Sequence, residues 1–221
     1  MPKLGCIGFH PTKLPEGRGR APIAWIILEQ KQGSASFFLM GKGADDGPIF
    51  TQSIFEIEEN DDAKSVQSKI GENINLALDN WLPDLRKGIW NPIPQNHALA
   101  SWFGKRGPND GWINWNNSAI YINRLIKASS TPHPGAYSYF KDAKVIIWKS
   151  EVEEEIKIQG VVGCVLLTDE KKGFLIQCGN GLLWVCKIQI ESKIALKVGD
   201  KLGYNIEDEL YNLKKKMKNE K

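Results

Sequence analysis

Gly8-Phe-His-Pro-Thr-Lys-Leu-Pro-Glu-Gly-Arg-Gly-Arg-Ala-Pro22 is the stretch on which the reading of this 221-residue chain turns. The apolar run before it, residues 4–9, reads as a short buried strand that ends at His10. A Pro- and Gly-rich loop follows, carrying Arg18 and Arg20. Pro22 then opens the segment Ile23-Ala-Trp-Ile-Ile-Leu28, a helix with proline in its first turn. In open α/β sheets, ligands bind outside the carboxyl ends of the strands. A strand that ends on histidine and opens into a rigid basic loop is therefore a site candidate. It lies so near Met1 that no complete βαβ unit precedes it.

Outward from this stretch, residues 34–40 read as a strand, and Gly41-Lys-Gly-Ala-Asp-Asp-Gly47 as a turn-rich loop. Residues 48–57 alternate as a strand at or near a sheet edge, because proline leads it. Asp61-Asp62 caps a helix whose stripe is Val66, Ile70, Ile74, Leu76–Leu78 and Trp81, with Pro83 and Gly88 ending it. Residues 88–117 are rich in proline and glycine but hold Trp90, Trp102, Trp112 and Trp115, which should be buried. A helix over 118–128 turns Ile122, Leu125 and Ile126 inward. Short strands then follow at 137–140, 144–152, 161–167, 174–178 and 182–190. Five such strands with turn signals between them suggest a small barrel of the oligonucleotide/oligosaccharide-binding (OB) type.

Hydrophobic content of 42% suits one large domain or two small ones, and a formal charge of +3 is too mild to argue for nucleic acid alone. The Lys-rich end, 214–221, reads as a solvated helical tail or as a phosphate-binding arm. Cys6, Cys164, Cys178 and Cys186 lie in or beside apolar runs without C-x-x-C spacing, and His10, His97 and His133 are scattered. That pattern predicts four buried, reduced thiols in a cytoplasmic protein and no metal site. Neither a signal peptide nor a membrane span is legible.

His10 and Asp45 are the candidate pair. If their strands are neighbours, the two side chains meet over the sheet edge. A carboxylate beside imidazole fixes its tautomer and favours its protonated form, and an imidazolium can stabilise an oxyanion forming on a carbonyl. Taken singly, the histidine also fits a structural role and Asp45-Asp46-Gly47 a plain turn. Arg18 and Arg20 read either as anion recognition near the Pro22 helix or as a surface loop. Trp25 reads as core or as a substrate wall. Tyr137, Tyr139 and Trp148 form either a stacking face or barrel packing.

These residues resemble a known family. His10-Pro-Thr-Lys-Leu-Pro15 with Arg18-Gly-Arg-Ala-Pro22 is similar to the H-x-S-L-L-P-x-x-R-G-x-x-P signature of the 10-formyltetrahydrofolate-dependent formyltransferases. Gly43-Ala-Asp-Asp-Gly47, with Ile49 and Gln52, resembles the family's D-x-G-x-I loop. Arg106-Gly-Pro-Asn-Asp-Gly-Trp-Ile-Asn-Trp115 resembles its R-x-P-x-D-G-x-I-x-W link, and Thr131-Pro-His-Pro-Gly-Ala-Tyr137 its P-x-P-G-A-[FY] step. The four matches run in family order.

The resemblance implies an α/β plus all-β protein: the C-terminal part of a Rossmann-like formyltransferase domain, then a small OB-like β-barrel domain. The implied divisions are a partial catalytic domain over 1–87, a linker and helix over 88–130, the second domain over 131–206 and a basic tail over 207–221. His10 and Asp45 take the catalytic positions. Gly43, Ala44, Asp46 and Gly47 fall on the folate-binding loop, and Thr12, Arg18, Arg20 and Trp25 on the acceptor side. The implied formyl donor is 10-formyltetrahydrofolate. The acceptor is an amine, an amino-sugar nucleotide favoured over methionyl-tRNA. A non-catalytic subunit binding nucleic acid or a partner chain through its barrel is the alternative.

Three departures bear on this. Gly8 stands where most members have Asn as a second oxyanion donor, and loss of such a donor costs on the order of 100- to 1000-fold in turnover. Thr12 and Lys13 replace the usual Ser and Leu. The resemblance implies earlier strands and helices that do not stand before Met1, so the expectation is either a truncated or mis-started product or a separate chain that supplies them.

Overall fold

The computed structural model describes residues 5–190, 195–204, 210, 213–215 and 217. Leu4 and most of the basic tail lie outside the described residues. The chain forms two compact units, Met1–Asp110 with Lys127–Pro134, and Gly111–Ile126 with Gly135–Lys221. This division differs from the sequence boundaries, because most of the connecting helix belongs with the second unit.

The first unit contains β1 (Ile7–Thr12), β2 (Arg18–Gly19), α1 (Pro22–Glu29), β3 (Gly33–Leu39), β4 (Ile49–Phe55), α2 (Ala63–Arg86) and β5 (Trp102–Phe103). Its main sheet has the order β1-β3-β4, and both pairings are antiparallel. This corrects the expectation of parallel strands with a site over their carboxyl ends. Helix α1 brings the chain back to the end of β1 that it left, so β3 starts with Gly33 opposite Thr12 and runs back. The short loop 40–48 leaves no room for a crossover, so β4 must reverse again.

The strand runs from Ile7 to Thr12, later in the chain than the expected 4–9. His10 lies inside it, and alternation turns Gly8, His10 and Thr12 inward. Ile7 and Phe9, expected to be buried, are 41% and 40% exposed. They sit on an edge strand, and no described strand pairs with the far side of β1.

Helix α2 is set by local chemistry. Asp62 accepts from the Lys64 and Ser65 amides, and the Ser65 hydroxyl returns the contact to the Asp62 amide, closing a capping box. Burial pushes the Asp61 carboxyl up. Its bonds from Lys69 (2.7 Å), the Glu58 amide and Ser65 outweigh that and hold it below its usual range. The buried stripe is Val66, Ile70, Asn73, Ala77 and Trp81, whereas Leu76 faces solvent. Pro83 does not end the helix. It removes only its own N–H from the ladder, and the helix reaches Arg86 before Gly88 (φ 77°) breaks it.

Of the four linker tryptophans only Trp115 is buried; Trp90, Trp102 and Trp112 are exposed. The expectation failed because an indole can cover a neighbour with one face and leave the other in water. Trp90 packs edge-on against Phe50, and Trp102 lies against the Arg18 guanidinium.

The second unit holds most of α3 (Ala119–Ser129) and β6 (Ala136–Phe140), β7 (Ala143–Glu153), β8 (Val165–Asp169), β9 (Gly173–Gln177) and β10 (Leu182–Ile190). The strands form one antiparallel sheet in the order β6-β7-β10-β9-β8. All five expected strands are present, but among the described residues β6 and β8 remain edges and no barrel closes. Strand β8 begins at Val165 rather than 161, because a turn bonds the Cys164 amide to Val161. Val145, Ile147, Leu175, Ile176, Leu183 and Val185 fill the core, and Ile122, Leu125 and Ile126 of α3 are buried. Tyr137 is buried, edge-on to Tyr139 and capped by Lys144 at 4.0 Å, which is packing rather than an open stacking face.

The four thiols are free, but only Cys178 is buried, and burial pushes it up to about 12. Cys6 is exposed, because it precedes β1 at the uncovered sheet edge. No described helix is long and apolar enough to cross a membrane.

Candidate active site

The inward face of β1 carries His10, which is 5% exposed. Its Nε2 lies 2.8 Å from the Gly17 carbonyl. A carbonyl cannot donate, so Nε2 bears the proton. The other nitrogen, Nδ1, faces Asp45 Oδ2 at 3.5 Å. When Nδ1 is also protonated, the contact becomes an ion pair. The same Oδ2 accepts the Gly19 amide at 2.8 Å. Strand and loop, distant in sequence, thus bring the candidate pair together, and Asp45 does so at φ 51°, in the left-handed region.

Residues 17–20 are held from one side by β5. Arg18 and Gly19 pair in parallel with Trp102 and Phe103, the Arg18 amide donates to Ser101 O, and the Gly17 amide donates to Ser101 Oγ. Gly19 (φ 106°) has no room for a side chain, because a Cβ there would lie 2.6 Å from Phe103 O. Gly47 is under a harder constraint: a Cβ would fall 1.6 Å from Leu39 O, so the Asp45 loop folds tightly back on β3.

The structure places the other expected residues as follows. Arg18 is 2% exposed and does not face solvent. Its Nε and Nη2 donate to Gln95 Oε1 at 3.2 and 2.6 Å, and Nη2 also reaches His97 Nδ1 at 3.3 Å. Arg20 is exposed, and its guanidinium has no partner among the described residues. Trp25 is half-buried, stacked on Phe103, with Nε1 donating to Gly104 O and Arg106 over its ring. Thr12 is buried and donates to Glu16 O at 2.7 Å, which braces the loop from within.

Gly43 and Ala44 are exposed, and Gly47 is buried in the turn. Asp46 folds under Gly41 and Gly43, and its Oδ1 is a buried acceptor with no partner among the described residues. Beside the pair, a side chain at Gly8 would collide with the Phe38 ring at 2.6 Å, so Phe38 fills that space.

Sequence reasoning missed Gln95. It is 6% exposed, and its amide donates to Asp45 O at 2.8 Å and to Gly47 O at 2.7 Å. No periodicity marks it in the irregular stretch 88–117. Gln52, noted only as part of the loop match, bonds Leu14 O and Ser36 Oγ and ties β4 across to the loop after β1.

Residues 106–204 match the model of the formyl transferase C-terminal domain. The bifunctional polymyxin resistance protein ArnA of Wigglesworthia glossinidia brevipalpis is 38% identical over 164 residues, 73% of this chain and 25% of ArnA. Among solved structures, HypX from Aquifex aeolicus in complex with tetrahydrofolic acid superposes with a TM-score of 0.67 at 20% identity, covering 87% of this chain and 33% of HypX. An N-formyltransferase from Helicobacter canadensis, in complex with folinic acid and dTDP-3-aminofucose, gives 0.66 at 20% identity over 82% of this chain and 65% of its own. The chain spans about a quarter of ArnA and a third of HypX. Residues 106–204 thus carry a formyl transferase C-terminal domain, and the contact between His10 and Asp45 lies in the segment before it.

Proposed function

We propose that the chain takes part in transfer of a formyl group from 10-formyltetrahydrofolate to an amine. The observation that carries the reading is the His10–Asp45 contact at 3.5 Å, built from two distant segments. The loop fits the donor: Asp46 Oδ1 is an orphaned acceptor suited to the N–H groups of a pterin, beside the exposed Gly43 and Ala44. Gly47 contributes by packing the turn. When bound, 10-formyltetrahydrofolate supplies the formyl carbon that the amine attacks.

His10 donates from Nε2 to the oxygen that gains negative charge, and for this the ring turns away from Gly17 O. Asp45 orients Nδ1 and assists removal of the amine proton. Arg20, exposed and without a partner among the described residues, is a cation for an anionic acceptor, and Arg106 lies over the Trp25 ring. The Helicobacter relative, bound to an amino-sugar nucleotide, supports that acceptor class over methionyl-tRNA. The open edge of β1, with Ile7 and Phe9, is where we place a strand from a separate chain or another segment. A cytoplasmic location is part of the same proposal.

The test is calorimetric binding of a stable 10-formyltetrahydrofolate analogue, then formyl transfer to amino-sugar nucleotides and to methionyl-tRNA. His10→Ala is expected to leave binding in place and lower turnover on the order of 100-fold or more. A folded chain that binds no analogue would overturn the reading. It would favour a non-catalytic member binding nucleic acid or a partner chain, as the bond between His10 and Gly17 also does.

A further inference from the structure

We infer that Gln95 is the positioning residue of the His10–Asp45 pair, and that Arg18 acts through Gln95 rather than on a substrate. This rests on the reading of His10 and Asp45 as the reacting pair. A primary amide has two donor hydrogens and an acceptor oxygen with two lone pairs. Gln95 uses all of them: both hydrogens on Asp45 O and Gly47 O, and the oxygen on Nε and Nη2 of Arg18. Its orientation is fixed, because a guanidinium cannot accept and a carbonyl cannot donate.

The two bonded carbonyls flank Asp46, so Gln95 clamps the turn that gives Asp45 its left-handed backbone. Arg18 is buried without an ion pair among the described residues, and its rigid fork sets the Gln95 side chain instead. Three consecutive residues then divide the work. Gly17 O holds the His10 ring, Gly19 N–H holds the Asp45 carboxylate, and Arg18, through Gln95, holds the Asp45 main chain. Asp45 is thereby tied at both ends to one short strand, and the strand itself is tied to β5.

The discriminating variant is Gln95→Glu. It keeps an acceptor for Arg18, in a stronger charge-assisted form, but removes both donors to the loop. A residue needed only to satisfy the buried guanidinium would tolerate it. The first readout is the Gly19 amide in 15N-correlated spectra of the 221-residue chain, assigned by its response to Asp45→Ala. In Gln95→Glu the Gly19 resonance is expected to move toward its Asp45→Ala position and to lose exchange protection, while the chain stays folded. The second readout is turnover, expected to fall on the order of 100-fold, by more than KM for the formyl donor rises, since the donor loop shares the same clamp.

An unmoved Gly19 resonance in a folded Gln95→Glu variant overturns the inference, as does unchanged turnover in an active chain. If the parent chain transfers no formyl group, the Gly19 resonance decides alone. That inactivity would count against the proposed function, not against the clamp.

Discussion

Along β7 the inward positions are Ala143, Val145, Ile147 and, past a bulge, Ser150; along β1 they are Gly8, His10 and Thr12. Both strands follow the two-residue period of a pleated sheet, yet they are held in place by different forces. Ala143, Val145 and Ile147 need only apolar neighbours, which Leu183 and Val185 of β10 help to supply, and Ser150 is the exception among the four, donating to Asn123 Oδ1 at 2.8 Å. Each polar side chain on β1 needs a partner of particular geometry, because a buried polar group left unpaired costs about 1–3 kcal/mol. His10 finds Gly17 O, Thr12 finds Glu16 O, and Ser36 on β3 donates to Thr12 O. The second unit is therefore specified by volume and the first, around its candidate site, by hydrogen-bond direction. A sheet that holds a reactive pair gives up some apolar burial and gains fixed orientations.

The largest effect that would sharpen this contrast lies in the apolar sheet. Ile147 is fully buried, and Ile147→Ala is expected to cost about 2–5 kcal/mol in urea unfolding without moving the Gly19 amide. A shifted Gly19 signal would mean that the two modes of construction are not separate. Next comes Gly8→Asn, which restores the side chain usual in the family. Phe38 fills that space, so the variant is expected to lose about 1–3 kcal/mol by overpacking. Adding Phe38→Ala should recover part of it relative to Phe38→Ala alone. If Gly8→Asn unfolds like the parent chain, packing around β1 is looser than the contrast requires.

The smallest effect tests a directional bond inside the apolar unit. Glu153 accepts from Trp184 Nε1 and the Glu155 and Ile156 amides, with Lys172 nearby, which holds its carboxyl at about 2 instead of 4.5. Its contribution to stability is present above about 4.5 and lost as pH falls toward about 2. The parent chain should exceed Glu153→Gln in stability at neutral pH, and the gap should close over that window. A gap that stays constant between these pH values would rule this carboxylate out as the cause.

Much of this was legible beforehand, for identifiable reasons. The cap at Asp61-Asp62 and the spacing of Val66, Ile70 and Trp81 mark α2, because capping and the helical period are local properties. The β10 boundaries could be read as they stand, since its apolar run opens directly after the turn at Gly179 and Gly181 and gives way to Glu191-Ser-Lys193 in the sequence. The pairing of His10 with Asp45 came from motif order, which stands in for spatial proximity. Leu76 and the linker tryptophans misled because hydrophobicity does not say how much of a side chain a neighbour covers. Arg18 misled for the opposite reason: an arginine between glycines looks like a surface residue, and only β5 and Gln95 bury it.

The sequence by itself determined most of the elements, which depend on local period and capping, and its resemblance to a family singled out the two residues of the candidate pair. Only the tertiary structure decided strand direction in the β1-β3-β4 sheet, the loss of space beside Gly8 to Phe38, and the place of Gln95 under the Asp45 loop. These depend on which distant segment arrives as a neighbour. A buried amide or guanidinium acquires its role from the partner it meets, and no pattern within its own segment records that partner.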